Sequence, residues 1–303
     1  MPTWISLNNF VQLLVAVMLL KFIFGPIFKR SAHATIESLT IDGTILFESK
    51  RTSPFQRWTE ALNELSNRSR LPKALILRIN SPGGTVGASQ EIYAILQKLR
   101  ARGVKIVALL EDVAASGGLY IAMAADKIVS NPGAVTGSIG VIIQGIEYSK
   151  VLEWLQIKMR TIKSGAFKDM LSPTREMSTE EQKLLEDVVG DTHEQFMSVV
   201  AHGRNLPIET VREFADGRIF NGAQAQVLGV VDTLGGFDAA VSVAETLSGI
   251  PIGKGRVGIL DNSSSFADSL TDRLSSLNSR FGGLLPAAST LPRGVPLWHM
   301  PSM

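Results

Sequence analysis

The chain has 303 residues, 45% of them hydrophobic, with 30 basic and 28 acidic side chains and a formal net charge of +2. So even a balance leaves no electrostatic footprint for nucleic acid or an acidic substrate, and the lack of cysteine rules out disulfides, thiolate nucleophiles and thiolate-bound metal. The four histidines, His33, His193, His202 and His299, stand in no metal-ligand spacing, so zinc is not expected, and no cofactor is called for.

Residues 10–28, FVQLLVAVMLLKFIFGPIF, carry one charge, Lys21, and are long enough to cross a bilayer. A basic n-region is missing, and Pro26, Lys29 and Arg30 stand just before the small residues at 31–34, which weakens the reading as a cleaved signal peptide. The expectation is an N-terminal membrane anchor over residues 1–30, with 10–28 as a transmembrane helix in contact with lipid, and a single-pass protein of the cell membrane. Lys29 and Arg30 after the span favour a cytoplasmic body, by a rule that weakens when a long domain follows.

Residues 34–250 read as one α/β domain. A strand at 34–41 ends at the turn Asp42-Gly43, and a helix covers 58–67. The run 74–79 (ALILRI) is a buried strand, followed by a glycine turn and a helix over 87–102 with Ile92, Ile95, Leu96 and Leu99 on one face. Residues 104–110 form a second buried strand, and a third repetition has a helix at 116–124 and a strand at 127–130. Repeated crossovers imply a mostly parallel sheet covered by helices. Ser178-Thr-Glu-Glu181 is a capping box opening a helix to about His202, and Asn221 caps another. Residues 251–303 turn rich in Ser, Gly and Pro and read as a tail, mobile over 283–303, with a helix at 266–277.

Two segments could carry chemistry. Arg78-Ile-Asn-Ser-Pro-Gly-Gly84 joins a strand to a helix, where glycines expose main-chain N–H groups to a ligand; taken alone it is an ordinary turn. Asp112-Val-Ala-Ala-Ser116-Gly-Gly-Leu-Tyr-Ile-Ala122 also ends a strand and opens a helix. Its core, Ala114-x-Ser116-x-Gly118, has the small-residue pattern of a nucleophile elbow, and the N–H of Gly117 is placed to meet an oxyanion. The plainer alternative makes Ser116 a helix cap, which explains the serine and not the small residues around it. His193 and His202 lie nine residues apart on one helix and do not look like partners of that serine. A lysine held as the neutral amine serves instead, but the chain has many, and spacing does not choose among them.

With RINSPGG (78–84), DVAASGGLY (112–120), TGSIGV (136–141), SGAFKDMLSPTREM (164–177) and DGRIFNGAQA (216–225) in order, the chain resembles the short form of the signal peptide peptidase A family over about 36–245. The resemblance implies a crotonase/ClpP-like fold of stacked ββα units. It implies a serine endopeptidase with Ser116 as nucleophile and Lys168 as general base, Ser138 orienting the lysine, and Gly83, Gly84 and Gly117 forming the oxyanion hole. It further implies a homo-oligomeric ring, an octamer, a body on the non-cytoplasmic side, and cleaved signal peptides or other apolar membrane-released peptides as substrates. A protease of the same fold acting on membrane proteins in quality control and a catalytically silent scaffold are the alternatives. Leu119 departs from the aromatic common in the family, and the sequence after about 250 has no counterpart in it.

Overall fold

The computed structural model of the protein describes residues 35–48, 53–260 and 297–299. The chain begins with β1 (Ile36–Asp42) and then α1 (Pro54–Asn67), which starts where Ser53 accepts the N–H of Gln56 and Pro54 fills a first-turn position needing no donor. Phe55, Trp58, Ala61, Leu62 and Leu65 line the buried stripe of α1. Next come β2 (Ala74–Ser81), the short β3 (Gly83–Thr85), α2 (Val86–Ala101), the long β4 (Lys105–Ala115), α3 (Gly117–Ala122), β5 (Lys127–Ser130) and β6 (Val135–Gly137). An excursion holding α4 (Ser149–Trp154) leads into α5 (Thr179–Arg204) and α6 (Ile208–Arg212). The body continues with β7 (Ile219–Asn221), α7 (Gly222–Val227), β8 (Thr233–Leu234), α8 (Phe237–Ser248) and the edge strand β9 (Val257–Ile259); β10 (Leu297–His299) follows.

The main sheet runs β7-β6-β4-β2-β1-β9, with β5 and β8 branching from β4. All its pairs are parallel except β6 with β7. Side chains alternate across the pleat, so each central strand feeds two cores. Leu75, Leu77 and Ile79 of β2 join Ile106, Ala108 and Leu110 of β4 under α1 and α2, whereas Ala74, Ile76, Val107 and Leu109 face Ala240 and Ala244 of α8. Burial on both faces is why these strands read as unbroken apolar runs rather than alternating ones. The stacked ββα pattern and mostly parallel sheet expected from the sequence are present.

Strand β4 is the hinge of the site. Its first half, Val107 to Leu110, pairs with β5, and its last residues, Val113 to Ala115, pair with β6. The sheet therefore forks just before Ser116, and β6 takes the place beside the end of β4 that β5 holds lower down.

One expectation is corrected. No helix among the described residues is long and apolar enough to cross a membrane; the 26-residue α5 has the length, but charged and polar side chains run along it. Residues 10–28 lie outside the described residues, as does the helix expected at 266–277. The expected transmembrane helix, lipid partner and single-pass placement therefore find no counterpart among the described residues. Residues 257–259 and 297–299, both within the Ser/Gly/Pro-rich stretch, are strands.

Candidate active site

Ser116 occupies the first position after β4, with φ 52° and ψ −119°. A non-glycine residue in this left-handed half of the φ range costs about 1–3 kcal/mol and persists only where its surroundings hold it. They do so here: its N–H donates to the carbonyl of Gly137 at 2.9 Å, and its own carbonyl accepts from Tyr120 at 2.9 Å. The residue is 1% exposed. Its hydroxyl makes no capping bond to α3, and Oγ is buried without any hydrogen-bond partner among the described residues. The capping alternative fails, because the side chain does not do the work of a cap. An unpaired buried hydroxyl costs about 1–3 kcal/mol, which is typical of a group kept for reaction.

Small residues around Ser116 are demanded by close approach. A Cβ on Gly118 would lie 2.9 Å from the carbonyl oxygen of Ser81, so α3 sits directly against the end of β2. There the register slips between Ile79 and Ser81, which brings Ser81 opposite Ala114. Asn80 braces the slip, donating to Asp42 and accepting the N–H of Val113. Ser81 Oγ then accepts the N–H of Gly83 at 3.1 Å, and Gly83, at φ 100°, turns the chain into β3.

The main chain of β3 is divided between two edges. Gly83 C=O and Thr85 N–H both bond Ile45, each at 2.8 Å, so the N–H and C=O of Gly84 face the opposite edge. A Cβ on Gly84 would fall 1.8 Å from the carbonyl oxygen of Ile45. On its free edge β3 pairs antiparallel with β10, Trp298 opposite Gly84 and His299 opposite Gly83, and β10 also lies against α3. An extended stretch of the chain's own sequence thus occupies the edge of β3 nearest the helix that follows Ser116.

Ser138 follows β6 with φ 51°, and its N–H donates to Arg218 C=O at 2.8 Å. Because Ala115 pairs with Gly137, Ser116 and Ser138 are the next residues on adjacent strands. The structure therefore brings together Ser116, Gly117, Ser138 and the Gly83–Gly84 turn. His193, set aside in the sequence, reaches the carbonyl of Ile139 at 3.2 Å and ties α5 to this loop.

Lys168 makes no hydrogen bond to Ser116 Oγ. It is exposed, in a turn closed by its N–H donating to Gly165 C=O at 3.2 Å. The excursion that carries it exposes many apolar side chains, among them Trp154 at 80% and Ile162 at 95%, and α4 buries no residue. Its charged groups are densely paired. Arg175 holds the Asp169 carboxyl well below its ordinary range, with Lys163 adding to the effect. The same guanidinium, followed by the Ser178 N–H, lowers Glu181 to about 2. None of these pairings was foreseen from the sequence; the only signal was the capping box at Ser178 and Glu181.

In sequence the chain resembles known proteases. The family model "Peptidase family S49" matches residues 98–251, and that of "Clp protease" matches 32–147. The chain is 44% identical over 223 residues to "Putative protease slr0021" of Synechocystis sp., covering 74% of this chain and 78% of that one. It is 35% identical over 213 residues to "Serine protease SPPA, chloroplastic" of Arabidopsis thaliana, covering 70% of this chain and 31% of that protein. Among solved structures, a ClpP1 variant of Listeria monocytogenes superposes with a TM-score of 0.43 at 18% identity, over 67% of this chain and 94% of that one.

Proposed function

The chain belongs to peptidase family S49 and is a serine-type endopeptidase, and from that premise we propose that Ser116 is its nucleophile and that Lys168 of a neighbouring copy is its general base. The carrying observation is the buried Ser116 Oγ with no partner among the described residues, set against a Lys168 exposed on an apolar excursion. A nucleophile without a base and a base without a nucleophile are completed by contact between copies. A closed ring is the natural outcome if each excursion reaches the next subunit, and an octamer is the proposed form.

In this reading the substrate lies extended along the edge of β3 that β10 pairs with, taking the place of β10 as an antiparallel strand. Ser116 Oγ attacks the scissile carbonyl while its proton passes to Lys168 Nζ, and the tetrahedral oxyanion is met by main-chain N–H groups of Gly117 and of the Gly83–Gly84 turn. The C–N bond breaks as the leaving amine takes the proton, and water then hydrolyses the acyl-serine. Ser138, on the strand beside Ser116, orients the incoming amine. The exposed apolar excursion suits apolar peptides, with cleaved signal peptides as the proposed substrates.

Complementation tests the shared site. Ser116→Ala and Lys168→Ala proteins, each inactive, are dissociated, mixed and reassembled, and peptide hydrolysis is measured. Partial activity is expected wherever an intact serine meets an intact lysine; none, with mixed oligomers confirmed by mass, would put both groups in one chain.

A further inference from the structure

No residue of the turn bearing Lys168 is fully buried. Between the excursion and α5 runs a groove of about 500 Å³ lined by Ile146, Met170, Leu171, Met177, Leu185 and Val189, so the two do not close on each other as a packed core would. What joins them is polar. Arg175 donates Nε to Asp169 Oδ2 at 3.1 Å, and Nη2 both to Asp169 Oδ1 at 2.7 Å and to the Asp169 carbonyl at 3.1 Å. Its other face meets Glu181, with Nη1 at 2.8 Å from Oε2 and Nη2 bonded to Oε1. Lys163 braces the same turn from within, donating to Ala166 C=O and to Asp169 Oδ1, each at 2.6 Å.

Glu181 is the fixed end. It is 3% exposed, sits in the first turn of α5, and also accepts the Ser178 N–H at 2.8 Å as half of the capping box. Further along, α5 is embedded in the core through Phe196, Met197 and Val200. A line of bonded contacts therefore runs from the residue next to Lys168, through Asp169, Arg175 and Glu181, into the body of the domain. Only a planar fork with donors on both sides spans two carboxylates in this way.

We propose that Arg175 is a positioning residue of the peptidase reaction: by clamping Asp169 to Glu181 it fixes the Lys168 turn on α5, so that the lysine is presented to the nucleophile at a set distance. The inference rests on Lys168 being the base and adds what holds it there. A general base works only within hydrogen-bond reach of its proton, and displacement by about 1 Å costs on the order of 10²-fold.

The test uses full-length protein and a chromogenic peptide. Arg175→Ala is expected to lower kcat about 10²-fold with KM within about threefold. Arg175→Lys, which restores charge without the fork, is expected to recover part of the loss. The deciding measurement is made in a Lys168→Ala background whose residual turnover is raised by added methylamine. With the lysine gone there is nothing to position, so adding Arg175→Ala should change that rescued rate by less than twofold. A further tenfold fall there would show that Arg175 acts elsewhere, and wild-type kcat in Arg175→Ala alone would show that the clamp is not needed; either overturns the proposal. Should Arg175→Ala melt below the assay temperature, Arg175→Lys and Asp169→Asn are read in the same two backgrounds. Lys168→Arg separates the underlying reading, since turnover by that variant would remove lysine as the base whatever Arg175 does.

Discussion

The main-chain N–H of Ser116 is bonded to the carbonyl of Gly137 at 2.9 Å, and that one link fixes the geometry of the site. It holds Ser116 at φ 52°, draws the Gly-Ser-Ile-Gly segment alongside the end of β4, and makes Ser138 the neighbour of Ser116 across the sheet. The hydroxyl adds nothing to the fold through hydrogen bonding, because no group among the described residues bonds it.

Ser116→Ala should therefore separate activity from stability. Peptide hydrolysis is expected to fall by about 10⁴-fold or more, with loss of labelling by a fluorophosphonate. The fold should be retained, with stability equal to or up to about 1–3 kcal/mol above the parent, since an unsatisfied buried hydroxyl is removed. Urea unfolding followed by circular dichroism checks it; clear destabilisation would mean that the hydroxyl has a partner.

Gly84→Ala and Gly87→Ala form a matched pair three residues apart. A methyl at 84 meets the Ile45 carbonyl at 1.8 Å, and main chain cannot swing away as a side chain can. The expected result is a loss of about 1–3 kcal/mol or more and collapse of activity as the β3 edge shifts. At Gly87, inside α2, a methyl meets nothing within 4 Å, so stability should stay level or rise by about 0.5–1 kcal/mol. Melting curves of the two variants should diverge in opposite directions.

Because β10 pairs along the edge of β3 proposed for substrate, it should compete with added peptide. Ending the chain at residue 296, or replacing Trp298 by proline to remove a strand donor, is expected to raise kcat/KM for short peptides about 3- to 10-fold. Fluorophosphonate labelling of Ser116 should quicken in parallel. Unchanged rates in both assays would show that the strand does not screen the site.

The Arg175–Glu181 pair predicts a specific acid response. Glu181 is lowered from 4.5 to about 2, so its ionised form is favoured by folding, and the stability it lends is complete above pH 5 and is lost as pH falls from about 4.5 to about 2. The melting-temperature gap between parent and Arg175→Ala should accordingly be flat near neutrality and narrow across that window. A gap independent of pH down to 2 would contradict the assignment.

The sequence by itself determined what is local and periodic. Unbroken apolar runs at 74–79 and 104–110 announced strands covered on both faces, Ser178 and Glu181 announced a helix start, and Ala114, Gly117 and Gly118 around Ser116 announced a serine on a tight turn, since only small residues fit where backbone meets backbone. Lys168 could be singled out only through the family pattern, because a base is defined by what lies opposite it, and no spacing along one chain encodes that. Tertiary structure alone decided the rest. The fork of the sheet at β4 sets Ser138 beside Ser116, Ile45 takes one edge of β3 and leaves the other for Leu297–His299, and Arg175 finds two carboxylates at once. Each joins residues through space by hydrogen bonds whose partners leave no periodic trace in sequence, and such contacts exist only once the cores on both faces of the sheet have fixed where its strands lie.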